Sequence, residues 1–182
     1  MALPANLTAG TWTLDNSHSE IGFTVRHAGI SKVRGQFTDA AATLDLADDV
    51  TASKVNATIK TASFDSGDVN RDGHVRGEDF FDVEKFPEIS FVSHTIVPKG
   101  DAYELQGDLT IKGVTRPVAL ETEFNGVAVD PFGNTRAGLS AETTISRKDF
   151  GLTWNAVLEA GGVLVSDKVA INLELAFIAP AA

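Results

Sequence analysis

Residues 68–79 read DVNRDGHVRGED and have the residue types and spacing of a calcium-binding loop. An EF-hand loop places oxygen ligands at positions one, three and five, glycine at position six and a carboxylate at position twelve. Asp68, Asn70, Asp72 and Asp79 occupy the ligand positions, with glycine at the sixth. On spacing alone, the segment could hold Ca²⁺ through carboxylate and amide oxygens.

The flanking sequence argues against that function. An EF-hand loop lies between two helices, whereas the preceding KVNATIKTASF alternates like a strand. Asp79 is shorter than the usual glutamate, and Arg71 and Arg76 would repel a divalent cation. We therefore predict a helix-capping segment, in which Asp and Asn side chains accept hydrogen bonds from backbone N–H groups, and no metal site.

Other catalytic constellations are missing from the sequence. The four histidines, at positions 18, 27, 74 and 94, do not have the spacing of metal ligands on one helix. The chain has no cysteine, which excludes disulfides, thiol catalysis and iron–sulfur clusters, and no G-x-S-x-G elbow occurs. We predict a binding protein with no catalytic residue and no cofactor.

Charge limits the partners of the 182-residue chain. The net charge of −10 argues against nucleic acid, and it disfavours electrostatic attachment to anionic lipid headgroups. No run approaches the roughly 20 apolar residues of a transmembrane helix. The first residues lack a basic segment followed by an apolar run, so we expect a cytoplasmic location.

Alternating apolar and polar residues predict the fold. In YELQGDLTIK, the apolar Tyr103, Leu105, Leu109 and Ile111 share one face. Short Gly- and Pro-containing links favour antiparallel neighbours, so we predict an all-β, eight-stranded antiparallel barrel in one domain spanning 1–182. The strands are predicted near 20–27, 33–46, 53–64, 87–97, 102–113, 116–128, 136–146 and 168–179, with a short one near 11–14.

Two long segments, 65–86 and 147–167, lack this alternation and are expected to hold short helical turns that cap a barrel mouth. Several inward positions carry small residues, among them Ala57, Gly107 and Ala141. A barrel of eight strands either fills with side chains or holds one small ligand. The small residues favour a hollow barrel, whereas large and small residues that interdigitate would fill it.

Blocks of the sequence resemble the YceI-like family of polyisoprenoid-binding, lipocalin-like proteins. They are LDNSHSEIGFTVRHAG, SKVRGQF, RDGHVRGEDFFDVEKFPEISF, YELQGDLTIKGVTRPVAL, ISRKDFGL and GGVLVSDKVAINLEL. Together they run in the family's order from about Trp12 to Phe177. In this light the calcium-like spacing is accidental, because residues 71–75 and 79–82 match two blocks of the family.

The resemblance implies a lipocalin-like barrel that binds a long isoprenoid, such as an isoprenoid quinone, or a similar amphiphile. It also implies a soluble protein able to form a homodimer. Many family members carry a signal peptide, and this chain departs from that pattern. The residues expected to line the interior are Phe23, Phe37, Ile59, Phe91, Leu109, Ile111, Phe124, Leu139, Ala141 and Ile145.

A polar head group would need partners at the mouth. The candidates are His27, Arg71, Asp72, His74 and Arg147. For Arg71 and Asp72 the alternative is a salt-bridge network that pins the cap to the barrel. Two other functions remain open, an enzyme that uses His74 or His27 as acid–base, and a filled barrel that serves as an interaction module.

Overall fold

The computed structural model describes residues 1–181, which form antiparallel strands, one α-helix and four short 3₁₀ turns. The strands are β1 Gly10–Leu14, β2 Glu20–His27, β3 Ser31–Phe37, β4 Ala40–Leu46, β5 Lys54–Lys60, β6 Phe64–Asp65, β7 Glu88–Lys99, β8 Ala102–Ile111, β9 Val114–Val129, β10 Thr135–Ser146 and β11 Lys168–Ile178. Helix α1 is Val69–Arg76, and the 3₁₀ turns are Asn16–His18, Val50–Ala52, Thr61–Ser63 and Arg147–Phe150. None of the helices in this part of the chain has the length and hydropathy of a membrane-crossing segment.

The sheet closes on itself. Its neighbours follow the order β1-β4-β5-β7-β8-β9-β10-β11, and β11 pairs back with β1 through Thr13 with Ile178 and Leu14 with Phe177. These pairs are all antiparallel. This confirms the predicted all-β, eight-stranded antiparallel barrel with short helical segments.

Three strands of the wall are broken at the same level. β2, β3 and β6 continue β1, β4 and β5 beyond the breaks, and β2 pairs with the same edge of β11 as β1, at residues 170–174. Asn16 ties the breaks together, since its amide donates to Thr38 O (2.7 Å) and its carbonyl oxygen accepts from Ala40 N (3.0 Å). The predicted continuous strands 33–46 and 53–64 are therefore wrong at these breaks.

A cluster of large side chains fills the end of the barrel formed by β1 and the last residues of β4 and β11, here called the far end. Trp12 is fully buried there and packs with Leu44, Leu46 and Phe177. Its indole N–H donates to Thr8 O at 2.9 Å, which satisfies the one polar atom of the side chain. This cluster therefore closes the far end of the barrel.

Arg136 links the far end to the loops around it. Its guanidinium forms ion pairs with Asp15 and with Asp130, the latter at 2.8 Å. Asp15 also accepts from Ser17 Oγ (2.7 Å), and Asp130 accepts from Asn134 N. Hydrogen bonds from Ser17 and Arg136 hold the pKa of Asp15 well below its usual range, and Arg136 is the main cause that lowers the pKa of Asp130 to about 2.

These lowered pKa values predict a loss of stability in acid. A carboxylate with a depressed folded pKa contributes stability that is complete above the unfolded pKa, about 3.9, and is lost as the pH falls through the folded value. We expect the melting temperature to fall between about pH 4 and pH 2, and Asp130→Asn to make that fall smaller. Thermal denaturation followed by circular dichroism checks this. Asp101→Asn, in the exposed β7–β8 turn, is the control, and an equal fall in both variants would contradict the assignment.

β6 forms a short edge of the sheet. This strand is two residues long and pairs on one side with β3. On its other side Arg76 of α1 donates from Nε to Ala62 O (3.1 Å) and from Nη2 to Phe64 O (2.5 Å). An arginine side chain thus occupies the hydrogen-bonding positions that a further strand would take.

Candidate functional site

The barrel encloses an apolar cavity of about 650 Å³. Alternation along the strands aims one face of each strand into it, because successive side chains of a strand point to opposite faces. All ten residues that the sequence predicts as apolar lining lie along this cavity: Phe23, Phe37, Ile59, Phe91, Leu109, Ile111, Phe124, Leu139, Ala141 and Ile145. The prediction that they bind a lipid is a separate matter and stays a prediction.

Residues 66–86 and 147–167 cover the end of the cavity opposite the far end, and we call them the cap. Asn70, Arg71 and His74 of α1 reach the cavity from one side of the cap. Trp154 and Val165 reach it from the other. The two segments that break the strand pattern are therefore the ones that close this end, which we call the mouth.

Helix α1 begins inside the calcium-like segment. Asp68 is its N-cap and accepts from Arg71 N at 2.8 Å, while Asp72 accepts from Ser66 N at 3.0 Å. Asp79 pairs with His74. The three carboxylates thus face three different partners, and within residues 1–181 no group of three or more His or acidic side chains is placed to hold a metal ion.

We expect calcium to bind weakly or not at all. Binding would require unwinding the first turns of α1, since Asp68 and Asp72 already accept hydrogen bonds from backbone N–H groups. Isothermal titration of the protein with CaCl₂ should give no saturable heat. A micromolar dissociation constant that Asp68→Ala abolishes would contradict this expectation.

Four of the five predicted mouth residues line the cavity, namely His27, Arg71, His74 and Arg147, and the structure places Asp72 outside the lining. The Asp72 carboxylate is buried and accepts from the Ser66 hydroxyl, which in turn accepts from Arg71 Nε at 2.7 Å. Arg71 also donates to Ser66 O at 2.7 Å. The expected ion pair between Arg71 and Asp72 is thus replaced by a link through Ser66, and Asp72 pins the cap.

His74 stands in an aromatic corner of the mouth. Its ring meets Trp154 and Phe80 edge-on, with centroids 4.6 and 5.2 Å apart. Nε2 lies 2.9 Å from Asp79 Oδ2. This carboxylate partner holds the imidazole in a fixed orientation at the mouth.

Arg147 is buried, with 4% of its surface exposed, and burial lowers the pKa of its guanidinium while Asp167 acts in the opposite direction. Four of its five N–H groups donate to backbone carbonyls of the cap. The acceptors are Leu152 O (2.6 Å), Trp154 O (2.9 Å), Ser166 O (2.9 Å) and Val165 O (3.3 Å). Arg147 touches the cavity, but its main role is to hold the second half of the cap in place.

Sequence reasoning missed several lining residues. Phe64 and Phe81 join Phe23 and Phe37 in one aromatic group, with centroids 5.2 to 6.1 Å apart. Phe64 is out of phase with Val55, Ala57 and Ile59 because the strand breaks between β5 and β6. Phe81 lies in the irregular segment 65–86. Arg26, which was not among the predicted site residues, lies near the end of β2 and borders both the outer face and the mouth.

The polar residues of the lining are basic or uncharged. Arg26, His27, Arg71 and His74 all lie at the mouth, whereas none of the Asp and Glu side chains described in residues 1–181 lines the cavity. The whole chain carries 25 acidic and 15 basic residues, so this is the reverse of its overall charge. The mouth therefore suits an uncharged or anionic group and disfavours a cationic one.

The comparisons agree with this architecture. A family model described as a YceI-like domain matches residues 12–177. A UPF0312 protein of Shewanella oneidensis is 39% identical over 153 residues, which are 82% of this chain and 80% of that protein. The crystal structure of Burkholderia cenocepacia BcnA superposes with a TM-score of 0.78 at 25% identity, covering 90% of this chain and 98% of its own.

A further structural neighbour has a descriptive name. It is a polyisoprenoid binding domain from Saccharophagus degradans implicated in plant cell wall breakdown. The TM-score is 0.69 over 93% of this chain and 98% of the neighbour. At 15% identity, this likeness shows a shared fold alone.

Proposed function

Because the chain belongs to the YceI-like family, with residues 12–177 matching its domain, we propose that it binds a long-chain isoprenoid or a similar amphiphilic lipid inside the barrel. The observation that carries the proposal is the apolar cavity of about 650 Å³. Small-molecule sites typically measure about 300–1,000 Å³. The alternative of a filled barrel does not fit a cavity of this size.

The binding energy would come from the lipid tail. Each methylene group removed from water contributes about 0.8 kcal/mol, so a tail of roughly four or five prenyl units can outweigh the ordering costs of association. The tail would lie among the phenylalanines of the wall, and the end of the cavity lined by Leu44, Leu46 and Phe177 would limit its depth. The protein would store, carry or present the lipid without a cofactor.

The head group would lie at the mouth. Arg26, Arg71 and His27 supply donors there and no described acidic side chain opposes them, which supports an uncharged or anionic head group. Arg71 has donors left for this role, because two of its five N–H groups are used on Ser66. A cationic amphiphile should bind far more weakly than its uncharged analogue.

Organic extraction of the purified protein followed by mass spectrometry tests the proposal. A long-chain amphiphile in about one-to-one ratio with the protein is the expected result. A protein that carries no lipid, and that fails to take up a fluorescent prenyl or fatty-acyl probe after delipidation, would contradict it.

The His74–Asp79 pair favours one second candidate, an enzyme that acts on a bound apolar substrate. In that case His74 would exchange a proton with the substrate at the mouth. Incubation of the delipidated protein with its extracted lipid should then give a product, with a pH-dependent rate that His74→Gln abolishes. The lipid-binding proposal expects the lipid to be recovered unchanged.

A further inference from the structure

Four basic side chains gather on the outer face of the barrel beside the mouth, although the chain is strongly acidic. Arg26, Lys32, Arg34 and Lys168 are exposed and border one groove across β10, β11, β2 and β3. None of the four forms an ion pair with an acidic side chain in the described part of the chain. We call them the basic patch.

Part of this arrangement is unfavourable for the isolated protein. Arg26 and Lys32 lie directly opposite each other in the β2–β3 register, and like charges at such positions repel. The acidic Glu20 and Glu174 border the same groove, but Glu20 is six residues from Arg26, or about 20 Å along the strand at 3.3 Å per residue. Beyond about 8 Å charges are largely screened at physiological salt. Asp167 is next to Lys168 and offsets part of its charge, which leaves the basic patch with a positive balance.

Exposed apolar side chains lie next to the basic patch. Ile30, in the β2–β3 turn, is 85% exposed, and Val157, in the hairpin before β11, is also 85% exposed. The turn and the hairpin are joined, since Ala28 N donates to Leu164 O at 2.7 Å. Val163 pairs with Val157 and is half exposed. Turn tips usually carry polar residues, whereas these two joined tips carry three exposed aliphatic side chains beside the basic patch.

We propose that the basic patch and the adjoining tips at Ile30, Val157 and Val163 dock the barrel, mouth first, on an anionic lipid bilayer. The basic side chains would contact lipid phosphates, while the aliphatic tips would enter the interface between headgroups and acyl chains. An acidic protein partner would use the basic patch but leave the aliphatic tips unexplained, so the bilayer accounts for both features.

This docking mode rests on the proposed function for its purpose. Arg26 belongs both to the basic patch and to the cavity lining, which puts the bilayer next to the mouth. A bound lipid could then pass between the cavity and the bilayer with its tail shielded from water. Glu159, exposed at the tip of the same hairpin, weakens the contact with anionic lipid.

Co-sedimentation with vesicles tests the docking. The purified protein should bind vesicles of equimolar phosphatidylcholine and phosphatidylglycerol, should not bind phosphatidylcholine alone, and should be released by salt. Lys32→Glu with Lys168→Glu should weaken binding by about 30-fold or more, since each basic residue near an anionic surface contributes about 1 kcal/mol. The matched control is Lys54→Glu with Lys99→Glu, which makes the same charge change at the far end and should have no effect.

A separate variant tests the contribution of the aliphatic tips to vesicle binding. Ile30→Ser should weaken binding to the anionic vesicles about tenfold, because it removes an apolar side chain worth roughly 1.5 kcal/mol when buried. Phe132→Ser is the control, since Phe132 is 89% exposed in the β9–β10 turn at the far end. Equal binding by the patch and control variants would overturn the proposal.

Two further outcomes separate this proposal from the one on which it rests. A protein that yields a stoichiometric lipid but ignores anionic vesicles overturns the docking and leaves lipid binding standing. A protein that binds anionic vesicles through the basic patch but yields no lipid supports the docking and removes lipid binding. Self-association that Lys32→Glu with Lys168→Glu abolishes, without any binding to vesicles, would assign the surface to a second copy and overturn the docking.

Discussion

Substitution of Arg147 by methionine is expected to lower the free energy of unfolding by about 3 kcal/mol or more, because a buried acceptor left unsatisfied costs roughly 1–3 kcal/mol. The guanidinium donates to four backbone carbonyls, and methionine, which keeps only an unbranched apolar chain, can donate to none of them. Water entering from the cavity would satisfy some of the carbonyls, so the loss should be less than the full sum. Urea denaturation of the delipidated protein measures it.

Lys148 gives a matched control for this variant. It is the next residue, it is exposed, and Lys148→Met removes one positive charge in the same way. Surface changes of this kind usually alter stability by no more than about 0.5 kcal/mol. Arg147→Lys keeps the charge but replaces a fork of five donors by three, so it should fall between the two. If Arg147→Met and Lys148→Met behaved alike, Arg147 would not hold the cap.

Ala141→Phe is expected to remove or shorten the bound lipid while leaving the delipidated protein as stable as before, or more stable. Ala141 lies on β10 opposite Thr122 and Leu173, and its methyl group faces the cavity. A phenyl ring at this position would enter space that the lipid tail uses. In a packed core, the same change would cost about 1–3 kcal/mol through overpacking. Lipid content by mass spectrometry and melting temperature after delipidation are the two measurements.

The neighbouring residue again supplies the control. Glu142 is exposed on the outer face of β10, so Glu142→Gln should alter neither lipid content nor stability. The hollow-barrel interpretation fails if Ala141→Phe destabilises the lipid-free protein by several kcal/mol while the lipid content is unchanged. Lipid binding would fail with it.

The strands were predictable because a wall with one wet face imposes alternation on the sequence. The predicted strand near 102–113 corresponds to β8, and the one near 136–146 to β10. The breaks in the barrel wall were harder to predict. A break of two or three residues leaves apolar and polar residues alternating on both sides, and it changes only whether odd or even positions face inward. The break between β3 and β4 is of this kind.

The apolar lining was also predictable, whereas the mouth was not. The alternation within a single strand is enough to predict that Phe91 faces inward, and the same holds for Leu139. No knowledge of the other strands is required. The partners of Arg147 come instead from an irregular segment, where nothing periodic links residue 147 to residues 152–166. The proposed docking surface could not be predicted from the sequence for a different reason. Net charge averages over the whole chain, and it hides four basic residues gathered by the fold.

The short edge at β6 has a consequence for the periods in which the protein carries no lipid. Exposed sheet edges template pairing with other chains, which is a common route to aggregation and amyloid. The edge at β6 is two residues long, and the Arg76 guanidinium donates to the carbonyls of Ala62 and Phe64 there. This edge therefore offers little free backbone to which a second molecule could add a strand. We expect the delipidated protein to remain free of fibrils on prolonged storage, and Arg76→Ala to shorten that period.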